Sequence, residues 1–241
     1  MNKHLHSLTV GALFSAATVF ADHHHSHAVA LAPGAVQTAT SQAAMTPAEG
    51  LQRLKDGNAR FVQGLATSRD YLEQAKTTAA GQYPFAIILG CVDSRVPVEI
   101  VFDQGVGDVF SARVAGNIAP SDVVGSMEFA TAAAGSKVIM VLGHTACGAV
   151  KGAVDDVKLG NLTGLLDQIQ PAVQATKLKA GEKQTSKNAA YVDRVATTNV
   201  KATMDHILAT SPTIAGLVKD GKVVLAGGIY DLESGQVTFI N

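Results

Sequence analysis

Hydrophobic positions along the chain change their period several times, and each change marks an element. Leu51, Leu54, Phe61 and Val62 recur at helical spacing after Thr46, Pro47 and Glu49, which suit the cap, first turn and capping box of a helix start. A second helical stretch is expected over 70–80. The pattern then becomes continuous: residues 85–89 are apolar without a break and stop at Gly90, as expected of a strand covered on both faces. A short helix opened by Pro97 is expected over 98–102, a strand over 108–114, a helix over 121–134 ended by Gly135, and a third strand over 137–142. Helices follow over 149–156, 162–178, 187–209 and 212–219, and strands over 223–226 and 236–240.

Strands alternating with helices predict an α/β fold: a mostly parallel central sheet of about four strands plus an edge strand, flanked by helices with right-handed crossovers. Open sheets of this kind place their sites beyond the carboxyl ends of the strands. There the chain carries its unusual chemistry. The first strand runs into Gly90-Cys91-Val92-Asp93-Ser94-Arg95 and the third into Gly143-His144-Thr145-Ala146-Cys147-Gly148. The chain has only these two cysteines, and the topology brings both to one edge. Two thiolates and an imidazole are a donor set that suits zinc, and three protein ligands leave a fourth position for water. Asp93 and Arg95 lie beside the first ligand, placed to bond that water or each other. A zinc-binding or redox protein without hydrolase activity, with its metal fully coordinated or its cysteines paired, remains a competing reading of the same residues.

Composition narrows the partners. Hydrophobic residues make up 47% of the chain and charged residues 16%, enough apolar side chain for a substantial core. The net charge of −1, with no basic stripe, excludes nucleic acid as an expected partner. Residues 1–21 have the pattern of a secretory signal peptide: Lys3 at the start, an apolar run over 8–21 that is too short for a membrane span, and small-residue cleavage after about Ala21. The expected location is therefore periplasmic or secreted, with no stable membrane span after cleavage. Residues 22–45 read as a low-complexity linker that opens with the His23–His27 cluster, and residues 46–241 as the folded domain. Of the eight histidines, only His144 and His206 fall within that domain, which narrows the choice of imidazole ligand. His206 reads as an ordinary helix-surface residue.

The ordered motifs resemble the β-class carbonic anhydrases over roughly residues 46–240. They are Leu54-Lys55-Asp56-Gly57-Asn58-Ala59-Arg60-Phe61, Gln82-Tyr83-Pro84, Cys91-x-Asp93-x-Arg95, Phe102-Asp103-Gln104-Gly105, Arg113-Val114-Ala115-Gly116-Asn117, His144-x-x-Cys147-Gly148 and Gly227-Gly228-Ile229-Tyr230-Asp231. The resemblance implies reversible hydration of carbon dioxide to bicarbonate and a proton, with one zinc ion per subunit on Cys91, His144 and Cys147. Zinc lowers the pKa of bound water to about 7, and the resulting hydroxide attacks the carbon. Asp93 then accepts the donor proton of the nucleophile and orients its lone pair, and Arg95 holds Asp93 ionised. In a closed resting form, Asp93 itself takes the fourth zinc position. The resemblance also places Gln82, Phe110, Ala115, Phe129 and the Gly148 N–H around the substrate. Phe129 replaces a tyrosine common in the family, and Ile88 stands where a subfamily with an inhibitory bicarbonate site has tryptophan. A homodimer or dimer of dimers is implied, with the N-terminal helices embracing the partner. A related enzyme acting on carbon disulfide or carbonyl sulfide would have the same ligands.

Overall fold

The computed structural model describes residues 34–240; the expected signal peptide and the histidine cluster lie outside them. Five strands form one sheet: β1 (Ala86–Gly90), β2 (Val109–Arg113), β3 (Val138–His144), β4 (Val224–Tyr230) and β5 (Val237–Ile240). Their order is β2-β1-β3-β4-β5, with the first four parallel and β5 antiparallel to β4. The expected α/β architecture, a mostly parallel sheet with an edge strand, is the one observed. β1 and β3 are buried along their whole length, as their unbroken apolar runs require.

Alternate residues face opposite layers. Ile88, Val138, Met140 and Leu142 pack with Leu54, Phe85 and Phe102, beneath α2 (Pro47–Val62) and α4 (Val98–Val101). Ile87, Leu89, Ile139 and Val141 pack with Met127, Val200, Ile207 and Ile214, from α5 (Ser121–Glu128), α9 (Ala189–Thr210) and α10 (Pro212–Lys219). A third cluster closes the carboxyl edge. There Cys91 and Cys147 pack with Val150, Leu166, Ile169, Val192 and Val195, from α6 (Gly148–Val154), α7 (Gly160–Asp167), the start of α8 (Gln170–Ala175) and α9.

The structure departs from the sequence reading in several places. The tract expected to be linker up to residue 45 ends in α1 (Ala39–Ala44), which carries a capping box between Thr38 and Ser41. The Gln42 amide donates to Pro84 O and Ala134 O, 2.8 Å each, so α1 belongs to the folded body. The helix expected over 162–178 is two helices, α7 and α8. Pro171 sits in the first turn of α8 and has no N–H with which to continue α7. α5 passes into a π-helical turn, Phe129–Ala133. β4 runs on through Gly227 and Gly228, where a Cβ would meet Met204 Sδ at 2.7 Å and Met140 Cε at 2.6 Å.

α2 packs on its own chain's core. Gly57 faces Phe102 O so closely that a Cβ would fall 1.8 Å from it. Asn58 Nδ2 donates to Val101 O (3.1 Å) and Gly235 O (2.9 Å), and its Oδ1 accepts from Val237 N–H at 2.8 Å. α3 (Tyr71–Thr78) is capped by Asp70. Among the described residues, no helix is long and apolar enough to cross a membrane.

Candidate metal centre

Each ligand is delivered by the end of a buried element. Cys91 follows β1, His144 is the last residue of β3, and Cys147 precedes α6 as its cap residue. His144 therefore sits within the strand, and only Cys147 belongs to the turn that follows. The Sγ atoms of Cys91 and Cys147 and a ring nitrogen of His144 all lie within 4.8 Å of one another, and all three residues are buried. Tetrahedral zinc with bonds of about 2.3 Å to sulfur sets two sulfurs roughly 3.8 Å apart, so the group suits such an ion with little adjustment.

Two further observations test the fit. His144 Nδ1 lies 2.9 Å from Thr145 O, which assigns the ring proton there and turns the Nε2 lone pair toward the cysteines. That Nε2 is buried and has no hydrogen-bond partner, an orphan that a metal bond satisfies. The Cys147 thiol beside it first, and then His144 and the N–H groups of Asp93 and Gly116, hold the Cys91 thiol well below its ordinary value against burial. The same Cys91–Cys147 contact, with burial, pushes Cys147 up. Two buried sulfurs sharing one proton form a site from which a divalent cation displaces that proton.

Asp93 lies beside this group. Its carboxylate accepts a bidentate bond from Arg95, Nε to Oδ1 at 2.9 Å and Nη2 to Oδ2 at 2.7 Å, and the Arg95 N–H adds a third at 3.0 Å. The Arg95 guanidinium first, and then its backbone N–H, hold the Asp93 carboxyl well below the usual carboxylate range. Asp93 Oδ2 is 3.9 Å from His144 Nε2. The carboxylate thus borders the ligand group while staying on its arginine, outside the three-residue donor set.

Backbone contacts complete the loops, and the sequence reading missed their roles. Arg113 donates from Nε to Cys91 O (2.9 Å) and from Nη2 to Asp93 O (2.5 Å), pinning the turn between ligand and carboxylate. Gly116 N–H points at Cys91 Sγ, 3.3 Å away. Gly116 has φ of +70°, and a Cβ there would sit 2.5 Å from Ile169 Cδ1, so glycine is required. Asn199 Nδ2 holds Gly116 O at 2.7 Å, and Asp193 Oδ1 holds Ala146 N–H at 2.9 Å. The Arg-x-x-Gly-Asn spacing was visible in the sequence, but partners that are backbone atoms leave no residue pattern to read.

The residues expected around the substrate separate into two groups. Ala115 opens the short turn that carries Gly116, and Gly148 follows Cys147 at the start of α6; both adjoin the ligands. Gln82 is exposed and precedes β1, whereas Cys91 follows it, and a strand of this length spans about 17 Å. Phe110 pairs with Ile87 in the amino half of β1. Its ring meets that of exposed Phe129 edge-on, with centroids 5.9 Å apart. One chain therefore brings Ala115 and Gly148 to the metal group and leaves Gln82, Phe110 and Phe129 elsewhere. His206 is exposed on α9, as expected of a helix-surface histidine.

Comparison with known proteins agrees with this geometry. The carbonic anhydrase family model matches residues 86–237. Carbonic anhydrase 2 of Mycobacterium tuberculosis is 34% identical over 196 residues, covering 79% of this chain and 91% of that protein. A carbonic anhydrase of Mycolicibacterium smegmatis is 36% identical over 198 residues, covering 79% and 92%. A structure among the tetrameric β-carbonic anhydrases of Sordaria macrospora superposes with a TM-score of 0.60 at 26% identity, covering 69% of this chain and 85% of that one. With the parallel sheet, the Cys-His-Cys group and these kinships in agreement, the chain belongs to the β class of the carbonic anhydrase family.

Proposed function

We propose that this protein reversibly hydrates carbon dioxide to bicarbonate, using one zinc ion per chain held by Cys91, His144 and Cys147. The observation that carries the reading is the buried three-donor group with an orphaned His144 Nε2 and an ionised Asp93 at its border. When bound, zinc supplies a water acidified to a pKa of about 7. The chain's own residues do the rest. Asp93, kept ionised by Arg95, accepts a hydrogen bond from the nucleophile and orients it toward the substrate carbon. A ligand with no hydrogen to donate meets a carboxylate instead of a partner, so Asp93 also filters what enters. Ala115 forms part of the apolar wall, and the Gly148 N–H is offered to a substrate oxygen.

Gln82, Phe110 and Phe129 join such a pocket only if a second copy supplies them. Their separation from the ligands within one chain therefore supports a homodimer, or a dimer of dimers, as the working unit. The N-terminal pattern supports export with cleavage after about Ala21, to the periplasm or outside the cell. Sedimentation and the mass of the protein from cell fractions test these two proposals.

The central experiment is zinc stoichiometry combined with stopped-flow carbon dioxide hydration. About one zinc per chain with hydration well above buffer is the expected result. Full zinc without hydration, or turnover only of carbonyl sulfide or carbon disulfide, overturns the reading.

A further inference from the structure

The turn between the two ligands of the second loop is held in an unfavourable shape. Ala146 has φ of +55°, a left-handed conformation that L-residues with a side chain avoid. Such a residue persists only where its surroundings impose it. Thr145 is tied on both sides to the end of β4: its N–H donates to Tyr230 O (3.0 Å), and its Oγ1 accepts from Leu232 N–H (3.0 Å). Ala146 itself is held from a different element. Its N–H donates to Asp193 Oδ1 at 2.9 Å, and Asp193 stands in the second turn of α9.

Nothing else in the structure accounts for Asp193. Its carboxylate is half-buried, and among the described residues no cation pairs with it. Further along the same helix, Asn199 Nδ2 holds Gly116 O (2.7 Å), and Gly116 N–H points at Cys91 Sγ (3.3 Å). One helix thus holds the Cys147 loop directly, through Asp193, and reaches Cys91 at one remove, through Asn199 and the Gly116 turn that follows β2. The two ligand loops come from different strands and share no hydrogen bond of their own backbones that would set their spacing. α9 supplies that link.

We propose that Asp193 is a positioning residue of the metal centre: through the Ala146 N–H it fixes the His144–Cys147 turn against Cys91, and so sets the shape of the donor group. A carboxylate makes a stronger, shorter bond to an N–H than a neutral acceptor does, which suits a turn that must be held in a strained conformation. This rests on the zinc reading above, and the test is arranged so that the two fail separately.

Wild type, Asp193→Ala, Asp193→Asn and Asp193→Glu are loaded with zinc, and metal release to a chromogenic chelator is timed. Loss of an outer partner of a metal ligand commonly costs about 10–100-fold in metal affinity, so release from Asp193→Ala is expected to be faster by about that factor. Asp193→Asn keeps an acceptor at the same reach and should restore most of the retention. Asp193→Glu keeps the charge but shifts the acceptor by one methylene, and should release faster than Asp193→Asn; it also provides the reading if Asp193→Ala does not fold. Cobalt-substituted Asp193→Glu should show displaced thiolate-to-metal and d–d bands, and Asp193→Asn bands close to wild type. Wild-type retention in both Asp193→Ala and Asp193→Glu, or equal loss in Asp193→Asn and Asp193→Glu, overturns the proposal. So does faster release matched by an equal fall in the melting temperature of the zinc-free variant, since that is a general structural effect. If wild type itself takes up no zinc, the zinc reading fails and this proposal falls with it; if wild type binds zinc and the variants behave alike, only the positioning role fails.

Discussion

Asp93 and Asp103 stand on either side of α4, and each is gripped by arginine, but the two grips differ in what surrounds them. The Asp103 side chain is 1% exposed and bonded by Arg69, which is 6% exposed, by Arg60 at 2.5 Å, and by Thr67 through both N–H (3.1 Å) and Oγ1 (2.9 Å). Its backbone is left-handed, with φ of +48°, a conformation that aspartate tolerates better than most residues. Asp93 has one arginine, itself 58% exposed, and one oxygen 3.9 Å from a metal ligand. Asp103 has every oxygen committed and no alternative. For Asp93 we propose one alternative, a turn from Arg95 toward the ligand group, whose His144 Nε2 lies 3.9 Å away. The same pair of residue types thus makes a rivet where both partners are buried and a movable group where one partner faces water.

The largest effect that sharpens this contrast is on turnover. Asp93→Asn should keep most of its zinc and lose roughly 10²–10⁴ in hydration rate, the range for a positioned proton-transfer group. Near-normal turnover would remove the catalytic half of the comparison, and loss of zinc would make Asp93 chiefly a ligand. Next comes Asp103→Ala, which leaves the Arg69 guanidinium buried without its partner. Such a change costs about 3–5 kcal/mol of stability, to be read from urea midpoints, while the zinc content of the folded fraction stays at the wild-type level.

The pH dependence of that gap is smaller and has a definite sign. Burial pushes the Asp103 carboxyl up, but the bonds from Arg69, Arg60 and Thr67 outweigh it and hold the group below its ordinary value. A depressed folded value means that the stability from Asp103 is complete above the unfolded pKa, about 3.9. It is lost as pH falls through the folded value. The stability difference between wild type and Asp103→Ala should therefore be flat from neutral pH to about pH 4 and shrink below it. A gap that shrinks between pH 7 and 5 would assign the effect to another group. Asp93, also held low, stays ionised over the same span, so its protonation cannot produce an acid limb near neutral pH. If Asp93 leaves Arg95 for the metal at low pH, X-ray absorption at acid and alkaline pH reads that change in the ligand shell, and an unchanged shell with activity still lost rules it out.

The smallest effect is Arg95→Ala on stability. An exposed ion pair contributes little to stability, so the urea midpoint should hardly move even where turnover falls. A loss as large as that in Asp103→Ala would erase the distinction between rivet and movable group.

The ligand group was legible in the sequence because its chemistry is written in linear motifs at the ends of two unbroken apolar runs. Strand ends and layers were legible for the same reason. β4 was read too short because Gly227 and Gly228 weaken a local strand pattern, although each glycine is there to admit a methionine. The split between α7 and α8 was announced by Pro171, which the helical pattern overrode. α1 and Asp193 belong to a different kind of miss. Gln42 finds its partners at Pro84 and Ala134, and Asp193 finds its partner at Ala146; these are backbone atoms far along the chain, and no local period reports them.

The amide of Asn58 has its last two partners at Gly235 and Val237, the latter 179 residues further on. A ribosome adding about 5–20 residues each second takes roughly 10–35 s to cover that distance. Throughout that interval α2 has been made but the strand it closes against has not. Cys91, His144 and Cys147 have all emerged well before the wait ends. A chain released just short of residue 235 would carry a full set of metal ligands and an unfinished amino-terminal layer.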